Sequence, residues 1–428
     1  MKVPTKKLVE QLSTCLGAEA ITAESAQCAE HSIDGVIPAL ICTPATAEQL
    51  AAAVGICRDC SAAIAPWGGG TAMSLGNPPR TLDVVLKTTR LNRVVEHDHA
   101  NLTVTVESGI ILSALQAAIA RQKQFVPFDP PLPERSTIGG IIAANLNGPR
   151  RSSYGSVRDL VIGMKVVLAS GEIVKAGGKV VKNVAGYDMC KLFIGSLGTL
   201  GIISETTLRV APIPAQSATV IATGTFVNVA ACADQLVRTK LLPTAIYLLN
   251  DGATASWRLT VSFDGFQDSV TRQTNDFIEM AQQSGLTQEV VDGEKSPPCW
   301  QAIAELPVTP ERLVYRLTVP RGALMQTIST VLDGRKIGPA PAICADIPMG
   351  TLWLVASAEP AAIELFPRLI AMTQQQRGHA VIFAAPTPLK ESVDVWGPSA
   401  PAHALMRKIK QEFDPTGLFS PGRFVGNI

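Results

Sequence analysis

The chain has 428 residues, 46% apolar and 17% charged, with a formal net charge of +1. That length exceeds what one core usually sustains, so two domains are expected, and the composition is globular rather than disordered. Near-neutral charge gives no footing for nucleic acid or an anionic membrane surface, and the longest apolar runs ("IGGIIAANL", "TLWLVA") are too short to cross a bilayer.

The start, "MKVPTKKLVEQLSTCLGAEA", has lysines but no apolar h-region, so no signal peptide is expected. Nine scattered cysteines fit free thiols in a reducing cytoplasm. Any membrane association would be peripheral and held through partners, with no direct insertion.

"TPATAEQLAAAVGICRDC" predicts a helix capped by Thr46, with Glu48 in its first turn and Leu50, Val54 and Cys57 on one face. A short strand, "AAIAP", leads into the loop "PWGGGTAMSLGNPPR". Residues 81–109 alternate apolar and polar positions around a "HDHAN" turn, as strands do. "ILSALQAAIARQ" is amphipathic and helical. "VRDLVIGMKVVLASGEIVKAG" reads as a hairpin turning at "ASGE". After "KNVAGYDMCKLFIGSLGTLGII" comes a strand that ends in prolines, and residues 212–215, "PIPA", are the expected domain boundary. Beyond it, apolar strands alternate with helical stretches such as 268–284, an α+β pattern. Near the end "PAHALMRKIKQEFDP" predicts a helix with Met406, Ile409 and Phe413 on one face, stopped by Pro415. No long-period repeat is visible.

Three segments of the first half share a character: Gly68–Gly70 with Thr71, then Ser136–Gly140, then residues 182–203 with Gly186, Gly195, Gly198 and Gly201. Glycine lets a ligand approach the backbone, and successive exposed N–H groups form an anion-binding concavity. G-x-G-x-x-G fails because Met73 stands at the third glycine position, and no G-x-x-x-x-G-K-[ST] loop exists, which disfavours nicotinamide cofactors and ATP. Any one segment alone reads more readily as turns. Three beside small residues (Ala143, Ala144, Ala185) point to a long, thin, phosphate-bearing ligand.

"PWGGGTAMS", "STIGGIIAAN", "GPRRSSYGSVRDLVIGMKVVLASGEIV" and "KNVAGYDMCKLFIGSLGTLGII" fall in the order and spacing of the vanillyl-alcohol-oxidase-type flavoproteins, which carry a PCMH-type FAD domain. The resemblance covers roughly residues 36–213, and the ending "VDVWGPSAPAHALMRKIKQEFDPTGLFSPGRF" resembles the C-terminal segment of FAD-linked oxidases. Within that family "FDPPLPERSTIGG", "GPRRSSYG" and "GRFVGNI" are most similar to the second flavin subunits of glycolate oxidase (dehydrogenase) complexes. The resemblance implies a two-domain α+β fold: a PCMH-type FAD-binding domain over 1–213, a smaller antiparallel-sheet cap domain over 214–398, and a tail, 399–428, packing back on the first. The flavin ring would lie between the domains.

By the same resemblance Gly68, Gly69, Gly70, Thr71 and Ala72, with Thr137, Gly139 and Gly140, would hold the FAD pyrophosphate through backbone amides, and Trp67 and Ser136 would belong to the same cofactor site. Asn145 and Tyr154 would line the flavin. Gly198, Gly201, Ile202 and Ile203 would run along ribose and adenine, and Gly186, Tyr187 and Asp188 would fix the neighbouring loop. The first glycine loop has no His and "GPRRSSYG" has no suitable Cys, so FAD is expected to be non-covalent.

Departures from the pattern bear on function. A "GEHG"-like motif is missing, Leu197 stands where catalytic relatives have Glu, and Ser420 replaces a more usual Asn. Abstracting a hydroxyl proton as hydride leaves needs a base. Residues 214–428 hold only His379 and His403, neither with a ligand-like neighbour at i+3 or i+4, and both read better as structural or surface residues. No metal site is expected. Cys57-x-x-Cys60 reads as helix packing and His97-Asp98-His99 as a solvated turn; Arg150 and Arg151 stay open between anion contact and plain exposure.

The resemblance implies an electron-transferring FAD subunit, partnered by a catalytic glycolate oxidase flavin subunit and an iron–sulfur subunit. Two alternatives stand beside it: a self-sufficient FAD-dependent hydroxy-acid or polyol oxidase, and a structural subunit with an inert flavin.

Overall fold

A computed structural model describes residues 5–178, 187–292, 296–308, 311–333, 341–398 and 401–428. The chain divides into two compact units. The first takes the residues up to Asn147, then Ser156–Pro212 and Lys390–Ile428; the second takes Gly148–Gly155 and Ile213–Leu389. The break after Pro212 falls within "PIPA". The chain returns to the first unit at Lys390, ahead of the expected 399, because the buried Lys390 ammonium pairs with Asp34 at 2.8 Å. Gly148–Gly155 leaves the first unit because Ser152 Oγ donates to the Thr244 carbonyl at 2.9 Å.

In the first unit the strands are β1 (Ile21–Thr22), β2 (Leu40–Cys42), β3 (Ile64–Trp67), β4 (Val84–Lys87), β5 (Val94–Asp98), β6 (Thr103–Glu107), β7 (Gln124–Phe125), β8 (Val161–Val167), β9 (Ile173–Gly177), β10 (Ile202–Arg209) and β11 (Ala211–Pro212). They form a mixed sheet in the order β1-β2-β4-β3, an antiparallel sheet in the order β5-β6-β10-β8-β9, and the small pair β11-β7. The helix Ala47–Asp59 begins as expected, with the Thr46 hydroxyl accepting from Gln49 N–H at 3.2 Å. Its Leu50, Val54 and Cys57 are fully buried against Leu40, Ile64, Val84 and Leu86. Burying such side chains contributes about 1.5–3 kcal/mol each. This core fixes the C-terminal end of β3, where the first glycine loop starts.

The second unit is one antiparallel sheet of β12 (Gln216–Gly224), β13 (Ala245–Asn250), β14 (Trp257–Gly265), β15 (Thr287–Asp292), β16 (Arg312–Thr318), β17 (Ala342–Asp346), β18 (Thr351–Ser357) and β19 (His379–Ala384). Their order is β15-β12-β14-β13-β17-β18-β16-β19. Each half runs strand, helix, two strands, helix, strand, and the halves meet antiparallel at β13 and β17. The second unit is thus a doubled βαββαβ motif. The sequence shows no repeat because topology constrains only the pattern of apolar positions, which unrelated residues satisfy equally well.

Candidate functional site

β3 ends at Trp67, and residues 68–74 bend sharply out of the sheet. Gly70 needs its glycine: φ is +74°, and a Cβ there would lie 3.0 Å from the Trp67 ring. Gly69 sits against the chain behind it, where a Cβ would come 1.6 Å from the Arg135 carbonyl oxygen. Ser136 and Thr137 are buried in that backing segment. The Ser136 hydroxyl donates to the Pro131 carbonyl at 2.9 Å, so at 3.0 Å it must accept from Thr71 Oγ1. Among the described residues no protein acceptor takes the amides of Gly68, Gly69, Gly70, Thr71 and Ala72. Such a run of half-exposed amides is a concave donor set suited to an anion.

The second glycine segment behaves differently. Thr137 caps the helix Ile138–Ala144, its hydroxyl accepting from Gly140 N–H at 3.3 Å, and Gly139 N–H donates to the Ser108 carbonyl at 2.7 Å. The expectation that both loops offer their amides to a pyrophosphate is therefore corrected: those of Gly139 and Gly140 are engaged within the protein. A Cβ on Gly139 would lie 2.8 Å from that of Ser108, so this glycine lets the helix start close to β6.

The glycines of the third segment also make close approaches within the chain. A Cβ on Gly195 would lie 3.3 Å from Asn145, on Gly198 2.9 Å from Pro66, and on Gly201 2.6 Å from Val166. These glycines let stretches of chain approach one another. Leu197 has φ +53°, uncommon for a leucine, with its N–H held by the Ala143 carbonyl at 2.9 Å.

A cleft in the first unit gathers Trp67, Gly68–Gly70, Thr71, Ala72, Gly139, Gly140, Gly198, Gly201, Ile202 and Ile203. Ser136 and Thr137 lie behind its loop. Asn145 is beside it as the left-handed C-cap of Ile138–Ala144, at φ +50°. Tyr187 is 92% exposed, and Asp188 pairs with Lys191 at 3.4 Å; neither lines the cleft. Tyr154 belongs to the second unit, where its phenol bonds Asp264 at 3.4 Å; burial first, then the Asp264 charge, push its pKa up to about 12. Gly186 lies outside the described residues.

Sequence reasoning missed Arg423, which also lines the cleft. It is 3% exposed, and its Nη2 donates to the carbonyls of Met73 and Leu75, each at 2.6 Å. Lys390 donates to the intervening Ser74 carbonyl and to Asp34. Three consecutive carbonyls, 73 to 75, are thus drawn onto two buried cations. Burial lowers the Arg423 pKa to about 10, against the opposing pull of Asp34. Burial likewise holds Lys390 below its ordinary value, with Asp34 resisting. Two cations share one carboxylate, leaving the cleft wall positive. The readable signal was a basic residue in an otherwise small and apolar tail, "FSPGRF".

The FAD binding domain family matches residues 38–177, the stretch that includes both the first glycine loop and Ile138–Ala144. Its cofactor is FAD. A run of five amides without protein acceptors, backed by Thr71 and a buried arginine, fits the cofactor's diphosphate. Glycolate oxidase subunit GlcE of Escherichia coli (strain K12) is 29% identical over 84% of this chain and 92% of its own length. Glycolate oxidase subunit GlcD of Bacillus subtilis (strain 168) is 35% identical over 58% of this chain, and the match spans only 54% of that relative. A D-lactate dehydrogenase of Anaerostipes hadrus is 37% identical over 41% of this chain and 37% of its own length. With the FAD binding domain, these relatives support an FAD-dependent oxidoreductase.

Among solved structures, p-cresol methylhydroxylase with substrate bound superposes with a TM-score of 0.78, 17% identity, and coverage of 98% of this chain and 97% of its own. Alkyldihydroxyacetonephosphate synthase gives 0.74 at 17% identity, over 99% of this chain and 87% of that one. At such identity these show the fold, a two-domain α+β fold of the PCMH type. No helix among the described residues is long and apolar enough to cross a membrane.

Proposed function

We propose that the chain is the FAD-binding, electron-transferring subunit of a glycolate-oxidising complex, working between a catalytic flavin subunit and an iron–sulfur subunit. The observation that carries this is the cleft of unengaged amides in a chain similar to subunit GlcE along 92% of that relative's length. Bound FAD would supply the redox chemistry, accepting electrons and passing them on. The amides of Gly68–Ala72 hold its diphosphate non-covalently, while Gly198–Ile203 pack along the adenosine end. Arg423 places positive charge behind the anion. Leu197 gives the cleft an apolar wall and no base.

The two histidines of residues 214–428 support a relay rather than a dehydrogenase. His379 lies at the start of an edge strand, and His403 opens the helix His403–Phe413 with its Nε2 shut away from partners, beside Gly426. Neither is arranged as a base over a hydroxy acid. The described residues hold no group of three or more His, Cys, Asp or Glu side chains placed for a metal. The proposed reading places the iron–sulfur step on a partner subunit.

The test is anaerobic visible spectroscopy of the purified, FAD-loaded chain. Glycolate alone should leave its yellow colour unchanged, and glycolate with the catalytic subunit should bleach it. Bleaching by glycolate alone would replace the relay with a self-sufficient dehydrogenase. A colourless protein that takes up no FAD would leave only a structural role.

A further inference from the structure

Arg316 occupies the middle of β16, between β18 and β19, an unusual place for a cation. Its residue is half-buried, and its Nε is cut off from solvent without any hydrogen-bond partner. The guanidinium lies 5.3 Å over the Phe383 ring. A ring face under the guanidinium holds the fork in place but satisfies none of its N–H groups.

Trp353 stands directly opposite Arg316 on β18, so the two side chains leave the sheet on the same face. Its indole Nε1 is also buried without a partner. Two buried, unsatisfied donors side by side are costly, each worth about 1–3 kcal/mol if nothing accepts from them. The charge nearest in effect is another cation. Burial first, then the Arg151 guanidinium, bring the Arg316 pKa down to about 10. Arg151 comes from the short helix Arg151–Tyr154, which is tied to this unit by the bond from Ser152 to Thr244. His379, at the start of β19, also feels the Arg316 charge. Among the described residues no carboxylate pairs with Arg316 or Arg151.

The Arg316 guanidinium and the Trp353 indole can only donate, and among the described residues no acceptor takes Arg316 Nε or Trp353 Nε1. We propose that Arg316 and the Trp353 indole form a binding site for a small organic carboxylate on the second unit. The planar guanidinium suits a carboxylate bidentately, the indole N–H adds a third donor, and Phe383 and Trp353 supply apolar walls for a short carbon chain. This site would give the chain its own contact with an organic acid, and it does not depend on the electron-transfer reading.

Isothermal titration of the FAD-loaded full chain with sodium oxalate tests this, with inorganic phosphate as the competing probe. Saturable binding of one oxalate per chain is expected. Arg316→Met should weaken it about 10- to 100-fold, as expected for a charged hydrogen bond. Arg316→Lys should retain part of it, because an ammonium cannot reproduce the fork. If Arg316→Met fails to retain FAD, Trp353→Phe keeps the ring, removes the donor and should still weaken oxalate several-fold. Absence of saturable binding, unchanged affinity in the folded variants, or phosphate binding as tightly as oxalate would each overturn the proposal. None of these results touches the bleaching experiment, so the two readings fail separately.

Discussion

Arg423 reaches back 350 positions to place one nitrogen, Nη2, at 2.6 Å from the carbonyl of Met73, and the same nitrogen at 2.6 Å from that of Leu75. The first glycine loop is therefore held from behind by the last segment of the chain. Arg423→Met frees those carbonyls and removes the positive charge beside the anion. FAD affinity should fall about 10-fold or more, as for hydrogen bonds to a charged group, while Arg423→Lys recovers part of it. Quenching of FAD fluorescence on titration into the apoprotein measures this. Equal affinity in Arg423→Met would show that the loop holds its shape unaided.

Glycine substitutions should separate packing from ligand contact. A methyl at Gly69 would sit 1.6 Å from a backbone oxygen that cannot move without displacing Ser136, whereas at Gly140 the nearest atom is Thr137 Oγ1 at 3.1 Å. Gly69→Ala should lower the melting temperature and the FAD content together. Gly140→Ala should melt close to the parent. The reverse order in a thermal scan would refute the packing account.

Asp34 is the acid that pairs with Lys390, and both side chains are nearly inaccessible. Removing one member strands a buried charge, a cost of about 3–5 kcal/mol. Asp34→Ala should thus destabilise the protein by that order in urea unfolding. Asp34→Ala combined with Lys390→Met should restore part of the loss, because Lys390 is then no longer stranded and only Arg423 lacks the carboxylate.

His379 carries a pH signature. Burial, then the Arg316 charge, depress its pKa below the ordinary 6.5, so the folded state disfavours its proton. Its contribution to stability is complete above the unfolded value and is lost as pH falls through the folded one. Stability should therefore decline from neutral pH into the acid range, and His379→Asn should flatten that slope. Arg316→Met should raise the His379 pKa in an NMR titration; an unmoved resonance would mean that Arg316 exerts no field there.

Much of the first unit was legible in the chain. Thr46, the 3.6-residue spacing of Leu50, Val54 and Cys57, and the "ASGE" turn are local features, and each appears where the spacing puts it. The sharp bend of Gly68–Gly70 out of β3 was readable too, because a glycine run after a strand marks a turn. Gly139, Gly198 and Gly201 were harder to interpret. Glycine signals close approach, and the sequence does not say whether the neighbour is a ligand or another stretch of the same chain.

The sequence by itself determined the α+β class and the local elements of the first unit, because short-range periodicity and turn chemistry are written in neighbouring residues. Only the tertiary structure decided that Arg423 and Lys390 grip the carbonyls of residues 73–75, that Arg316 and Trp353 stand opposite each other, and that the second unit is a doubled motif. Those relationships join residues far apart in the chain, and a buried charge reveals its role only through the atoms that folding brings around it.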